Sequence, residues 1–163
     1  MRFPRHIWLL AERIVDKAGA EGLMLATAES CTGGMVAAAI TDVPGSSAVF
    51  DRGFVTYSNE AKAEMLGAPP AIIETFGAVS RQTACAMANG ALERSRADIA
   101  VSITGIAGPG GGTDRKPVGL VWFALAAKGR SARAERRVFT DGDRGFVRMR
   151  AAQTALMLLL RAM

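Results

Sequence analysis

The stretch Leu23-Met-Leu-Ala-Thr-Ala-Glu-Ser-Cys-Thr-Gly-Gly34 decides the fold. Its first six residues form a short apolar run, which predicts a strand that is buried on both faces. The small residues from Thr32 to Ile40 predict a helix packed closely against that strand. Ser30 and Cys31 would then lie at the carboxyl edge of a sheet, beside the free N–H groups of a helix N-terminus. Such a junction can bind an oxyanion or a phosphate, and it also fits an ordinary Ser/Thr helix cap.

Helices and apolar strands alternate on both sides of this stretch. Helices are predicted at 5–21 (ending at Gly22), at 59–66, after Pro69-Pro70, at 82–95 and at 144–161. Strands are predicted at 48–57, 99–104, 118–127 and 132–139, and the last two should be antiparallel because a short turn joins them. We therefore expect an α/β protein, a three-layer α/β/α sandwich around a mixed, mostly parallel sheet of about five strands. No linker or repeat divides residues 1–163, so we expect a single domain.

The composition excludes several classes of protein. Half of the 163 residues are hydrophobic and 21% are charged, which excludes a disordered chain. No apolar run approaches the roughly 20 residues of a membrane-spanning helix, and no signal-peptide core follows the basic start. Cys31 and Cys85 are too few for a disulfide framework, and we expect both in core packing, although a thiolate at a helix N-terminus can be reactive. These observations predict a cytoplasmic protein without membrane contact.

A single histidine limits the catalytic chemistry. His6 falls in the first turn of the first helix, so neither a histidine-based triad nor a zinc site of several imidazoles is expected. Lys62 follows a helix cap at Ser58 or Asn59, where the helix dipole and partial burial would lower the pKa of its amine. A serine–lysine pair is then the natural nucleophile and base, and a solvated surface lysine is the alternative interpretation.

The net charge of +5 is concentrated in residues 128–150, which contain eight basic and three acidic residues and leave twelve of each sign elsewhere. This segment fits a phosphorylated ligand, a nucleic acid or a solvated surface. One Tyr and two Trp provide no aromatic ladder among the arginines, so single-stranded nucleic acid is not expected as a partner. The glycine-rich stretch 105–112 matches neither a P-loop nor a dinucleotide-binding fingerprint, and it predicts either a ligand-lining loop or a flexible surface loop.

Six motifs occur in one order along the chain. They are Ala28-Glu-Ser-Cys-Thr-Gly-Gly34, Pro44-Gly-Ser-Ser47, Gly53-Phe-Val-Thr-Tyr-Ser-Asn-Glu-Ala-Lys62, Gly77-Ala-Val-Ser80, Ser102-Ile-Thr-Gly-Ile-Ala-Gly-Pro-Gly-Gly111 and Lys116-Pro-Val-Gly119. Together they make nearly the whole chain resemble the C-terminal domain of the CinA (competence/damage-inducible protein) family, in its stand-alone form. Members of that family act as nicotinamide-nucleotide amidohydrolases.

The resemblance implies hydrolysis of nicotinamide mononucleotide to nicotinate mononucleotide and ammonia in pyridine-nucleotide recycling, without a metal or organic cofactor. By motif, Ser30 is the nucleophile, Lys62 the general base and Tyr57 an aid to proton transfer, while Ser47 is a rival nucleophile or a ligand of the oxyanion or phosphate. The other substrate-binding residues implied are Thr32, Gly33, Thr104, Gly105, Gly108, Arg144 and Arg148, with the arginines directed to the 5′-phosphate. The resemblance also favours a homo-oligomer. A non-catalytic, competence-related module that binds nucleic acid or protein is the alternative function.

Overall fold

The structure is a computed structural model that describes residues 3–163 and contains one five-stranded mixed sheet. The elements follow in the order α1 (Arg5–Glu21), β1 (Leu25–Glu29), α2 (Met35–Thr41), β2 (Phe50–Val55), α3 (Asn59–Leu66), α4 (Pro70–Phe76), α5 (Arg81–Glu93), β3 (Ile99–Gly105), β4 (Leu120–Ala127), β5 (Arg130–Val138) and α6 (Arg144–Ala162). A turn of 3-10 helix at Ser46–Ala48 precedes β2. The α/β fold with a mixed sheet of five strands is confirmed.

The strand order is β2-β1-β3-β4-β5. Strand β1 pairs in parallel with β2 and β3, and β4 is antiparallel to both β3 and β5, so four strands run in one direction. Helices α1, α2 and α6 pack on one face of the sheet, and α3, α4 and α5 pack on the other. In the register of the sheet, Glu29 at the end of β1 is level with Val55 in β2 and Ile103 in β3. The carboxyl ends of these three strands therefore meet at one edge.

Large side chains fill the core beneath α1, α2 and α6, among them Ile14, Ile40, Phe123 and Leu156. Small residues fill much of the opposite face, where α5 lies against the sheet. A Cβ atom on Gly90 of α5 would overlap the carbonyl oxygen of Leu66 in α3, so these two helices approach backbone to backbone. This close contact fixes the position of α3 at the edge where the three strands end.

Helix α2 begins at Met35, three residues later than the sequence predicts. Residues 31–34 form a turn instead, in which Gly33 and Gly34 have φ angles of 59° and 94°. Such left-handed angles are costly for residues with a Cβ atom, which explains the two glycines. Within residues 3–163, no helix combines the length and the apolar character that crossing a membrane requires.

Candidate active site

A cavity of about 200 Å³ lies at the shared carboxyl edge of β1, β2 and β3. Its lining residues are Ser30, Cys31, Tyr57, Asn59, Lys62, Ala78, Val79, Thr104, Gly105, Ala107 and Arg144. A larger hollow of about 370 Å³ lies between β5 and the end of α6, but no lysine or histidine lines it that could act as a base for the hydroxyl of Ser131. The chemistry predicted from the sequence therefore belongs to the smaller cavity.

The centre of this cavity is a contact between Ser30 and Lys62. The Nζ atom of Lys62 lies 3.2 Å from the Oγ atom of Ser30, 2.9 Å from the carbonyl oxygen of Thr56 and 3.3 Å from that of Ser58. A neutral amine satisfies all three contacts, because its two N–H groups donate to the carbonyls and its lone pair accepts the hydroxyl proton of Ser30. In this geometry a neutral Lys62 could accept the hydroxyl proton of Ser30.

Burial controls the protonation of Lys62. Only 1% of this residue is exposed, and the loss of solvent lowers the pKa of its amine. Coulombic interactions of the amine with Cys31 and with Glu60 oppose this shift less strongly. The sequence prediction of a lowered lysine pKa is thus supported, with burial as the main cause.

Helix α3 positions the amine through its first turn. Ser58 caps the helix by accepting a hydrogen bond of 3.0 Å from the N–H of Ala61, as the sequence predicts. At the other end of α3, the carbonyl of Leu66 accepts a hydrogen bond of 2.8 Å from Arg94, beside the contact with Gly90. The helix is therefore fixed at both ends, and Lys62 points inward to the end of β1.

The turn after Ser30 is fixed through both its N–H and its C=O groups. The buried carboxylate of Glu29 accepts hydrogen bonds from the backbone N–H groups of Gly34, Val36 and Ala37, at 2.8–3.1 Å. From the other side, Arg148 donates to the carbonyl oxygens of Cys31 and Thr32, both at 3.1 Å. We call Glu29 and Arg148 the turn clamp. The expectation that the N-terminus of α2 is free to bind an anion is wrong, because Glu29 occupies its donors.

Several predicted residues do meet at the cavity. Thr104 lines it and donates from its hydroxyl to the carbonyl of Ala78 at 2.8 Å, and Gly105 lies next to it. Arg144 donates to the hydroxyl of Tyr57 and to the carbonyl of Gly108, both at 2.8 Å. Tyr57 is 63% exposed, so this contact lies at the mouth of the cavity rather than beside Ser30. Gly108 contributes its carbonyl to Arg144 and does not itself line the cavity.

Other predicted residues are not brought to the cavity. Thr32 is fully buried with a hydroxyl that has no partner within the described residues, and Gly33 and Arg148 line a separate hollow beside Phe3. Ser47 is exposed in the 3-10 turn before β2. That turn lies at the opposite edge of the sheet, since the carbonyl of Val49 accepts a hydrogen bond from Leu25 at the start of β1. Within this chain Ser47 is therefore remote from Lys62.

Cys31 contacts the cavity from the core. Burial raises the pKa of its thiol to about 12, so its sulfur is a packing atom and not a reactive thiolate, and burial also raises the pKa of Cys85. Among residues 3–163, no group of three or more His, Cys, Asp or Glu side chains is placed to hold a metal ion.

Sequence reasoning missed Glu29 as an anchor and Asn59, Ala78, Val79 and Ala107 as lining residues. An acidic residue shortly before a helix start was the available signal for Glu29. Asn59 was read only as a possible helix cap. Ala78 and Val79 reach the cavity through long-range packing, for which the local sequence carries no signal.

The fold and the site first define a class: α/β/α proteins with a buried serine–lysine pair at the carboxyl edge of a mixed sheet. The chain belongs to the family described as the CinA C-terminal domain, whose model matches residues 9–163.

Named relatives agree with this assignment. The chain is 54% identical to nicotinamide-nucleotide amidohydrolase PncC of Escherichia coli (strain K12), over 92% of this chain and 90% of that protein. It is 52% identical to a CinA-like protein of Akkermansia muciniphila over 94% of this chain but only 37% of that protein, so it spans little more than a third of that relative. The crystal structure of the competence/damage inducible protein CihA from Agrobacterium tumefaciens matches with a TM-score of 0.96 and 52% identity, covering 99% of this chain and 98% of that one.

Proposed function

We propose that this chain is a hydrolase that deamidates nicotinamide mononucleotide to nicotinate mononucleotide and ammonia. The observation that carries the proposal is the contact of 3.2 Å between the Ser30 hydroxyl and the buried amine of Lys62. The substrate is suggested by the Escherichia coli relative named nicotinamide-nucleotide amidohydrolase, which this chain covers almost entirely. We further propose that the chain acts as a single domain and a homo-oligomer in cytoplasmic pyridine-nucleotide recycling.

In the first half of the proposed reaction, the Oγ atom of Ser30 attacks the carboxamide carbon while Lys62 takes the hydroxyl proton. The tetrahedral intermediate then breaks its C–N bond, and Lys62 returns the proton to the leaving nitrogen, so that ammonia departs and an ester on Ser30 remains. In the second half, Lys62 takes a proton from a water molecule that attacks the ester. Nicotinate mononucleotide leaves, and the Ser30 hydroxyl is restored.

The negative charge on the intermediate needs hydrogen-bond donors outside α2, because Glu29 occupies the donors of that helix. The backbone N–H of Cys31 directly follows the nucleophile and makes no hydrogen bond to another described residue. Asn59, which carries a side-chain amide, is another lining residue of the same cavity. We propose these two groups as the oxyanion donors.

The size of the cavity sets how the substrate enters. Its volume of about 200 Å³ is smaller than the roughly 300–1,000 Å³ of pockets that enclose a whole drug-sized ligand. We therefore propose that the pyridine ring and its carboxamide enter, while the ribose phosphate extends past Tyr57 and Arg144 at the mouth. Arg144 keeps further N–H donors for a phosphate besides the two that contact Tyr57 and Gly108.

The experiment that tests this function follows ammonia and nicotinate mononucleotide released from nicotinamide mononucleotide by the purified protein. We expect turnover that falls by about a thousandfold or more in Ser30→Ala and in Lys62→Met, as for other members of a nucleophile–base unit. Lys17→Met, which removes a partly exposed lysine of α1, is the matched control and should keep the full rate. Absence of turnover by the unmodified protein, or undiminished rates in both site variants, would contradict the proposal.

The alternative function, a competence-related module that binds nucleic acid or protein, is less well supported, because several basic residues of 128–150 already contact other groups of the chain. Lys128 pairs with Asp98, Arg137 pairs with Glu135, and Arg148 belongs to the turn clamp.

A further inference from the structure

A second hollow, of about 420 Å³, lies directly beside the catalytic cavity, and the two share Val79 in their walls. We call it the Trp122 hollow. The residues that define it here are Phe76, Arg81, Arg115, Lys116, Trp122 and Arg136. None of them belongs to the serine–lysine site, and the proposed reaction uses none of them.

The charge around the Trp122 hollow is of one sign. Four cationic side chains line it and no carboxylate does. Elsewhere several basic residues have acidic partners, such as Arg96 with Asp51 and Lys128 with Asp98. None of the four cations in the hollow forms an ion pair within residues 3–163. Four like charges around one concave surface repel each other, and an anionic ligand would relieve that repulsion.

Two of the four cations are placed by rigid elements. Arg81 is the first residue of α5, where the helix dipole is unfavourable for a cation and favourable for an anion. Arg136 lies in β5 directly opposite Trp122 of β4. On the loop side, Lys116 donates to the carbonyl of Phe76 at 2.7 Å, which ties the two rims of the hollow together.

Trp122 adds an aromatic surface to this basic hollow. It is half-buried, so part of its ring remains open to a ligand. Guanidinium groups bind phosphate through paired hydrogen bonds, and an aromatic face binds a flat ring. A ligand with both a phosphate and a ring can contact the guanidinium groups and the Trp122 ring at the same time, whereas an inorganic anion contacts only the guanidinium groups.

We propose that the Trp122 hollow is a phosphate-binding subsite for a nucleotide whose ring lies against Trp122. This nucleotide is a molecule separate from the substrate, because the proposed reaction places the single ring of the substrate in the neighbouring cavity and its phosphate at Arg144. Binding at the Trp122 hollow does not itself require the proposed reaction.

The test uses the fluorescence of Trp122 in the full chain. The protein has two tryptophans, so Trp8→Phe leaves Trp122 as the only one. We expect AMP and inorganic pyrophosphate each to change this fluorescence in a saturable way, with binding that weakens as salt rises. In the Arg81→Ala/Arg136→Ala variant the dissociation constant should rise about tenfold or more, as expected when charged hydrogen bonds are lost.

The matched control is Arg130→Ala/Arg133→Ala. It removes the same total charge, here from β5 alone, but these two arginines line the hollow beside α6. Unchanged binding in the control together with weaker binding in the Arg81/Arg136 variant supports the subsite. No saturable change in fluorescence, or equal binding in both double variants, overturns it.

Kinetics show whether the bound nucleotide is separate from the substrate. We expect Arg81→Ala/Arg136→Ala to leave KM for nicotinamide mononucleotide unchanged, and AMP not to compete with the substrate. A raised KM for nicotinamide mononucleotide, with an unchanged KM for the riboside without phosphate, would show that the hollow binds the phosphate of the substrate and would contradict the subsite as proposed. Because the fluorescence test requires no turnover, binding without activity would contradict only the proposed function, and activity without binding would contradict only the subsite.

Discussion

Lys62 is an unusual residue because its amine lies almost entirely out of contact with solvent. Its hydrogen bonds go to two backbone carbonyls and one hydroxyl, and none goes to a carboxylate. No carboxylate hydrogen-bonds the amine, and burial outweighs the opposing charge of Glu60, so the neutral form is favoured. Neutrality is what a base for Ser30 requires.

This protonation state predicts the pH dependence of the reaction. Since burial lowers the pKa of Lys62, kcat/KM should rise as that amine loses its proton and level off below the ordinary lysine pKa of 10.5. The measurement is a pH profile of kcat/KM over the range in which the protein stays folded. A rate that continues to rise through the ordinary lysine value would show that the essential amine is solvated.

In the proposed reaction, Glu29 is a positioning residue that does not touch the reacting atoms. In Glu29→Gln the new NH₂ group cannot accept the hydrogen bonds that one carboxylate oxygen now accepts from backbone N–H groups. The turn that follows Ser30 should therefore loosen. We expect a loss of about 1–3 kcal/mol in the free energy of unfolding. We also expect a lower kcat with little change in KM.

Denaturant unfolding and steady-state kinetics measure the two effects. Glu64→Gln, at an exposed position of α3, is the control and should change neither quantity. A Glu29→Gln protein with normal kcat would show that the turn clamp does not position the nucleophile.

Among the helices, the close contact between α3 and α5 connects packing to the proposed catalysis, because α3 carries Lys62. A Cβ on Gly90 would overlap the backbone of α3, so Gly90→Ala should displace α3 and move Lys62 away from Ser30. We expect both the melting temperature and kcat to fall.

Gly19→Ala is the matched helical control. A Cβ there would lie 3.8 Å from the side chain of Val49, an ordinary contact, so the substitution should stabilise α1 by about 0.5–1 kcal/mol. Equal effects of the two substitutions on stability and rate would contradict the role of this contact.

Much of this arrangement follows from local sequence. Helix α1 ends where Gly22 allows a left-handed angle, and α3 begins where Ser58 caps it, because both signals act over a few residues. The predicted start of α2 at Thr32 is wrong, because the carboxylate of Glu29 on the preceding strand caps the helix. A cap residue directly before a helix can be predicted from sequence, whereas Glu29 lies several residues before the helix that it caps.

The site shows the same division between local and long-range signals. The pairing of Ser30 with Lys62 follows from local signals. Ser30 directly follows strand β1, and Lys62 lies in the first turn of the helix that follows β2, at the same edge of the sheet. The position of Ser47 does not follow from local sequence. It depends on the parallel pairing of β2 with β1, which puts the turn before β2 at the end of the sheet opposite to Ser30. Arg148 falls in a predicted helix, but its contact with the backbone of the turn depends on how α6 crosses the sheet.

For the whole molecule, the net charge of +5 is a poor guide to its partners. The basic segment contributes to ion pairs, to the turn clamp and to two different hollows. We therefore predict no saturable binding of a labelled DNA duplex or single strand at physiological salt, measured by fluorescence anisotropy. Tight binding that falls steeply with salt would indicate a nucleic-acid partner instead.

We also expect the whole molecule to form a homo-oligomer. Phe146 and Met157 of α6 are both substantially exposed, and a second copy of the chain packed against this helix would cover them. Light scattering coupled to size exclusion measures the molar mass, and a value of 17.1 kDa would contradict self-association.

The central claim is that Ser30 attacks the substrate with Lys62 as its base. The most direct measurement is acid quenching of the reaction with nicotinamide mononucleotide, followed by mass spectrometry of the proteolysed protein. We predict a nicotinate mononucleotide ester on the peptide that contains Ser30, present in the unmodified protein and in Ser47→Ala, and missing in Ser30→Ala. An ester on Ser47, or an unreduced yield of adduct in Ser30→Ala, would contradict the claim.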